Sequence, residues 1–365
     1  MLSNWFKKWI VPGAVFQSVI IGGGYGTGRE VVEFISRFGP WGGIAAIGCI
    51  GILMGFITAT CFEFTRIFKT TNYRSFFKEI IGKFWIAYEV VFVLALLLIL
   101  AIGASAAGTI LADNFNISAT IGIIIMLTVI VFFNYIGRTW VEKSLTFWGI
   151  IVSVVIMLFL LFTWSERSNI IVQQFKIPDP VLHDQSWEVS GLKFFLYNIF
   201  ILPVILYCAE HIETRKEAIG AGFLAGLMAI FPAIAFHISF MAFYPEIINQ
   251  DLPTYWILNK MNQPVFMLIY VIALYGTIVQ TGVGVLQGIN ERLDCWWLEK
   301  HHSQLTKNTH ALIAGLIVIC SLFLGEIGII GLVAKGYGSL AWLSLIIFII
   351  PVLTIGIRKI LNHPN

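Results

Sequence analysis

The run Gly22-Gly23-Gly24-Tyr25-Gly26-Thr27-Gly28-Arg29-Glu30 sets five glycines within seven residues, next to a charged pair. Glycine carries the largest entropy cost in a helix and tolerates non-helical dihedrals. A helix broken here frees carbonyls for a cation and N–H groups for an anion, because half-helix N-termini favour anions and C-termini favour cations. An amino acid zwitterion carries both charges, which favours such a substrate. Gly22, Gly23, Gly24, Tyr25, Gly26, Thr27, Gly28 and Glu30 are therefore candidate substrate-binding residues. In a second interrupted apolar segment, Tyr197, Asn198 and Tyr207 offer polar groups beside Pro203, and Tyr197 and Asn198 join the candidate site. The structural alternative is an interfacial tyrosine and an asparagine bonded to a neighbouring helix.

Other charges have simpler readings. Arg29 and Glu33, and Glu33 and Arg37, are four apart and can pair along one helix face. Glu30 does not face Arg29, so it needs a proton, a substrate amine or a cation from another span. Thr277, Gln280 and Thr281 lie within five residues of a later span, where intrahelical bonding is the ordinary fate of a threonine. Glu89, Asn134 and Glu210 read as structural boundary residues, and His237 as a satisfied interior histidine. The glycines themselves have two competing readings. A phosphate loop needs Lys-Ser or Lys-Thr after its last glycine, and Arg29-Glu30 stands there instead. Gly22/Gly26 and Gly24/Gly28 also fit the G-x-x-x-G spacing of packed helices. Ionisable residues inside a span favour function over packing alone.

The elements that must position these residues follow from hydropathy. The chain has 365 residues, 58% hydrophobic and 12% charged, with mean hydropathy +0.87. A soluble protein carries about 25% charge, so this is a polytopic membrane protein. About 20 residues cross a bilayer. Neither flank of the glycine run suffices, but Trp9 to Phe34 together do. Ten spans are expected: Trp9–Ser36 (broken), Trp41–Phe62, Phe84–Leu111, Ala119–Tyr135, Trp140–Trp164, Gly191–Cys208 (interrupted), Ala218–Phe243, Val265–Gly288, His310–Leu324 and Gly338–Ile357. Small residues at 42, 43, 48, 51 and 55 predict tight packing of the second span. Tyr73–Ile81 reads as a short amphipathic helix, Asp113–Ser118 as a tight loop, Ser165–Ser190 as an external loop, and Glu291–Asn308 as a charged connector. Five cysteines form no disulfide framework or metal motif. Lys7-Lys8 before an apolar run imitates a signal peptide, but no small-residue cleavage site precedes the glycines, so a retained first span is expected.

With the N-terminus inside, sixteen Lys and Arg fall on the inner side and six on the outer, which predicts cytoplasmic termini. The halves, about 9–164 and 191–357, each open on an interrupted span and carry a polar connector before their third span. Five spans per half makes this an inverted repeat within one transmembrane domain, with the site expected where the interrupted helices meet. Enzyme motifs such as H-E-x-x-H and G-x-S-x-G are absent from the sequence, and no enzyme is expected. A secondary transporter of a small solute is the leading expectation, and a ligand-binding sensor subunit of the same fold is the alternative.

The five-plus-five layout with broken spans 1 and 6 resembles the LeuT fold of the amino acid–polyamine–cation superfamily. The glycine run, followed by Phe34 and Arg37-Phe38-Gly39, is similar to the start of the YkvI-type bacterial membrane proteins, and Gln280-Thr281-Gly282-Val283-Gly284 extends the likeness. Arg29 departs from the family's usual neutral polar residue, and Gln280 from its commoner hydroxyl. The resemblance implies an all-α transporter of an amino acid or related amine in the bacterial cytoplasmic membrane. It also implies a sodium site between carbonyls near Ile21 and Gly24 and the side chains of Thr281, Gln280 and Thr277. A buried Glu30 offers a proton as the competing coupling ion. No other cofactor, no metal and no nucleic acid are expected. The partners expected are a small-molecule substrate and the lipid bilayer, with the oligomeric state left open.

Overall fold

A computed structural model describes residues 4–136, 138–177, 187–301 and 305–363, which form helices and turns with no strand among them. A short helix α1 (Asn4–Trp9) leads into the first span, which comes in three pieces: α2 (Val11–Ile20), a single turn α3 (Gly23–Gly26) and α4 (Arg29–Phe34). The breaks lie where glycine permits them. Gly22 is extended (φ −103°, ψ −162°), and Gly28 takes the left-handed conformation at φ 83°. After a turn at Gly39 come α5 (Gly39–Phe68), α6 (Tyr73–Ile81), α7 (Trp85–Phe115), α8 (Ala119–Ile136) and α9 (Arg138–Lys176). The second interrupted span is α10 (Trp187–Ile199) followed by a 3₁₀ segment, Leu202–His211, bent from it by 61°. Then follow α11 (Arg215–Met241), α12 (Pro253–Lys260), α13 (Pro264–His301) and α14 (Lys307–Gly325). The last span, Ile329–Asn362, contains π-helical turns at Leu332–Tyr337, Leu345–Ile349 and Val352–Gly356. Two of these flank Pro351, which cannot donate to an α-helical ladder.

Six of the described helices are long and apolar enough to cross a membrane alone, and the bent pair makes a seventh. Three shorter apolar helices, Val11–Ile20, Ala119–Phe132 and Leu312–Gly325, bring the apolar segments to the ten read from hydropathy. The amphipathic helix at Tyr73–Ile81 has the expected bounds and buries Phe76, Phe77 and Ile80.

Three connectors differ from expectation. The helix runs through Asp113 to Phe115 and turns only at Asn116, so the loop is shorter than Asp113–Ser118. The expected external loop from Ser165 is helical to Lys176, kinked at Arg167, with residues 178–186 outside the description. This extension lies against the start of α5: Trp41 donates to the Phe175 carbonyl at 3.0 Å, and Ile171 is buried. The charged stretch after Glu291 continues α13 as far as His301, and its Arg292 pairs with Glu89 at 2.9 Å. Hydropathy ends a span where hydrocarbon ends, whereas the backbone ladder continues wherever a polar side chain finds a partner.

The small residues of α5 pack mainly against α11. A Cβ at Gly226 would lie 2.3 Å from the Gly55 nitrogen, and one at Gly222 would lie 2.4 Å from the Ala59 Cα. Gly43 admits the His237 ring, which hydrogen-bonds Ser36 and the Pro40 carbonyl, each at 3.0 Å. Gly48, by contrast, meets nothing. Lys8 ties α1 to Glu213 (3.1 Å) and Glu217 (3.0 Å) at the start of α11. Overpacking such a contact costs about 1–3 kcal/mol. Gly226→Ala is therefore expected to lower the detergent melting temperature by several degrees, whereas Gly315→Ala, in open space, leaves it unchanged. Equal melting temperatures would remove α5–α11 close packing as a source of stability.

Candidate functional site

The breaks of the two interrupted spans face each other around the carboxyl of Glu30. Glu30 is on the first turn of α4 and is 2% exposed. Its Oε2 accepts the Tyr197 hydroxyl of α10 at 2.6 Å. Its Oε1 reaches back into the break: a Cβ at Gly24 would lie only 2.3 Å from it, so this glycine leaves the space that the carboxyl fills. The hydrogen-bond partner of Glu30 in this conformation is thus a neutral hydroxyl.

A cavity of about 40 Å³ adjoins this pair. Its polar lining comes from Gly22, Glu30, Tyr197, Asn198 and Tyr337, and its walls include Phe92 and Phe200. A water needs about 10–15 Å³ of such space, so the cavity admits a small group. The Tyr197 ring stacks on Tyr337 with centroids 4.4 Å apart and planes within 7°. Asn198 donates its amide to the Phe194 carbonyl of its own helix at 3.0 Å. The span 6 break is satisfied from outside: Tyr88 donates to the Phe200 carbonyl at 2.9 Å.

The other residues of the glycine run do different work. Gly23 lets α7 approach, since a Cβ there would stand 2.5 Å from the Gly103 Cα. Tyr25 turns away from the cavity and packs between Phe194 and Phe236. Thr27 closes the break by donating to the Gly24 carbonyl at 2.7 Å. The Gly26 carbonyl accepts from Tyr270 of α13 and the Thr27 carbonyl from the Thr254 amide at the start of α12, each at 3.2 Å. Gly28 sits under Phe240. Tyr207 is 54% exposed and lies outside the site, because the 3₁₀ segment turns it outward. Arg29 is buried and does not line the cavity. It donates to the carbonyls of Ile248 (2.7 Å) and Gln250 (2.9 Å) and pairs with Glu33, which also holds Arg37.

On the span 8 side, Thr281 lies beside the break: a Cβ at Gly22 would be 3.8 Å from its methyl. Thr281, Gly23 and Gly103 share a narrow gap between α3, α7 and α13. Ile21 is buried at the break, and Gln280 is buried on α13. Thr277 spends its hydroxyl on the Ala273 carbonyl at 2.9 Å. Sequence reading missed Tyr337. The only local signal for it was its position between Gly336 and Gly338, and its partner Tyr197 is too far away in the chain to be inferred. A double-mutant cycle of Glu30→Gln and Tyr197→Phe, followed by chemical unfolding in detergent, is expected to give a coupling of about 1–3 kcal/mol. Additive single effects would mean that the pair contributes nothing.

No family model matches the chain. It is 24% identical over 345 residues to the uncharacterized membrane protein YkvI of Bacillus subtilis (strain 168), a match that covers 91% of each chain. Among solved structures it matches a Na+-coupled sialic acid symporter in its substrate-bound outward-open state, with TM-score 0.63 and 14% identity over 95% of this chain and 79% of that one. MhsT in complex with L-phenylalanine matches with TM-score 0.62 and 13% identity over 97% and 98% of the two chains. Inward-facing Mhp1 matches with TM-score 0.59 and 14% identity over 92% and 75%. The helix order, the two interrupted spans and this likeness make the architecture a LeuT-like fold, in a homologue of the YkvI membrane protein.

Proposed function

We propose that the chain is a secondary active transporter of a small solute, an amino acid or related amine. It works by alternating access around the Glu30–Tyr197 junction and is driven by a sodium or proton gradient. The observation that carries this reading is the buried carboxyl between two interrupted helices, next to a small cavity. Intramembrane ionisable groups are costly and mark substrate or ion pathways. Alternating access moves one repeat against the other around such a site, here about 9–164 against 191–357. The names of neighbours with this fold, a Na+-coupled sialic acid symporter and MhsT with L-phenylalanine, agree with a solute carrier. Thr281 beside the Gly22 break supports sodium as the coupling ion, with carbonyls near Ile21 and Gly24 as further oxygen ligands.

The test is uptake into proteoliposomes of a solute first found by a thermal-shift screen of amino acids and amines. Accumulation driven by an inward sodium gradient is expected, and Thr281→Val should raise the sodium concentration for half-maximal uptake severalfold. Uptake driven by protons alone and indifferent to Thr281→Val would reject the sodium site. Binding without accumulation would identify a sensor. The orientation proposed from charge, with both termini cytoplasmic, has its own test in a cysteine-free background. An impermeant maleimide added to intact cells should label Asn262→Cys and spare Lys216→Cys, and the reverse pattern would invert the topology.

A further inference from the structure

We propose that the cavity takes a small organic ammonium ion with the Glu30 carboxylate as its counter-ion, and rejects zwitterions and anions. This rests on the reading of the Glu30–Tyr197 junction as the solute site. Among the residues lining the cavity, Glu30 is the one charged side chain. The adjacent Arg29 is spent on two carbonyls and Glu33. Arg292, whose guanidinium lies 4.3 Å over the ring of the lining residue Phe92, is paired with Glu89 at 2.9 Å. Lys335, two residues from Tyr337, is exposed. The carboxyl therefore has the Tyr197 hydroxyl as its hydrogen-bond partner, and among the described residues no cation forms an ion pair with it. A buried charge calls for a partner of opposite sign.

The position a solute carboxylate would take is already filled. The N–H groups freed at a helix break attract anions, and here the Oε1 of Glu30 itself reaches back into the break, in the space left by Gly24. A zwitterion would set its own carboxylate in the same small cavity as Glu30, with no lysine, arginine or histidine lining it. Like charges in a low-dielectric site repel strongly. The remaining walls suit a cation. Tyr197, Tyr337 and Phe200 line it with aromatic surface, which attracts ammonium groups. The volume, about 40 Å³, restricts the solute to a small ion such as ethylammonium.

The test compares three probes on the full chain in nanodiscs: ethylammonium, alanine (the same ammonium with an added carboxylate) and propionate. Binding is followed by calorimetry. Ethylammonium is expected to bind at least tenfold tighter than alanine or propionate. Glu30→Gln should weaken ethylammonium at least tenfold, and Glu30→Asp should restore part of the loss. The wild-type probe series needs no variant, so it stands even if Glu30→Gln fails to fold. Failure of ethylammonium to bind overturns the proposal. So does alanine or propionate binding as tightly as ethylammonium; if that binding is lost in Glu30→Gln, the site remains and only the charge selectivity falls. Probe binding untouched by both Glu30→Gln and Gly24→Ala would remove the site itself.

Discussion

Every polar backbone group inside hydrocarbon must find a partner within the protein. The first span violates helical geometry twice, at Gly22 and at Gly28, and the structure around it is arranged to answer for that. Thr27 covers one carbonyl, Tyr270 another and the Thr254 amide a third. These partners come from the break itself, α12 and α13. The interruption is thus the reason those elements converge.

The second interrupted span follows the same rule with different residues. Pro203 and the 3₁₀ segment leave the Phe200 carbonyl without a helical partner, and Tyr88 supplies one from α7. Helix α7 therefore contacts both breaks: through Gly103 against Gly23, and through Tyr88 against Phe200. The α5–α11 pair, joined through glycine-lined faces, forms a close-packed unit beside them.

Much of this was legible in the sequence because it is local. Five glycines in seven residues mark a break, a proline after Asn198 marks another, and apolar residues recurring at helical spacing mark the helix at Tyr73–Ile81. The pairing of Glu33 with Arg29 and Arg37 follows from four-residue spacing. What was not legible is long-range or depends on direction. Glu30 meets Tyr197 across 167 residues of chain. Tyr25 belongs to the glycine run but points toward Phe236, because a single helical turn sends successive side chains to different faces. The overruns of α9 and α13 were hidden because polar helical ends and polar loops have the same composition.

Gly24 and Glu30 occupy one volume between them. The oxygen of one stands where the first side-chain atom of the other would be. The two positions are therefore not free to drift independently. A homologue with alanine or serine at position 24 must redirect, shorten or lose the acid at position 30. Where a side chain at position 24 goes with a neutral residue at position 30, the electrostatic character of the cavity changes with the steric one. Substrate charge in this group of proteins would then diverge in steps, set by a packing constraint between two residues on the same broken helix.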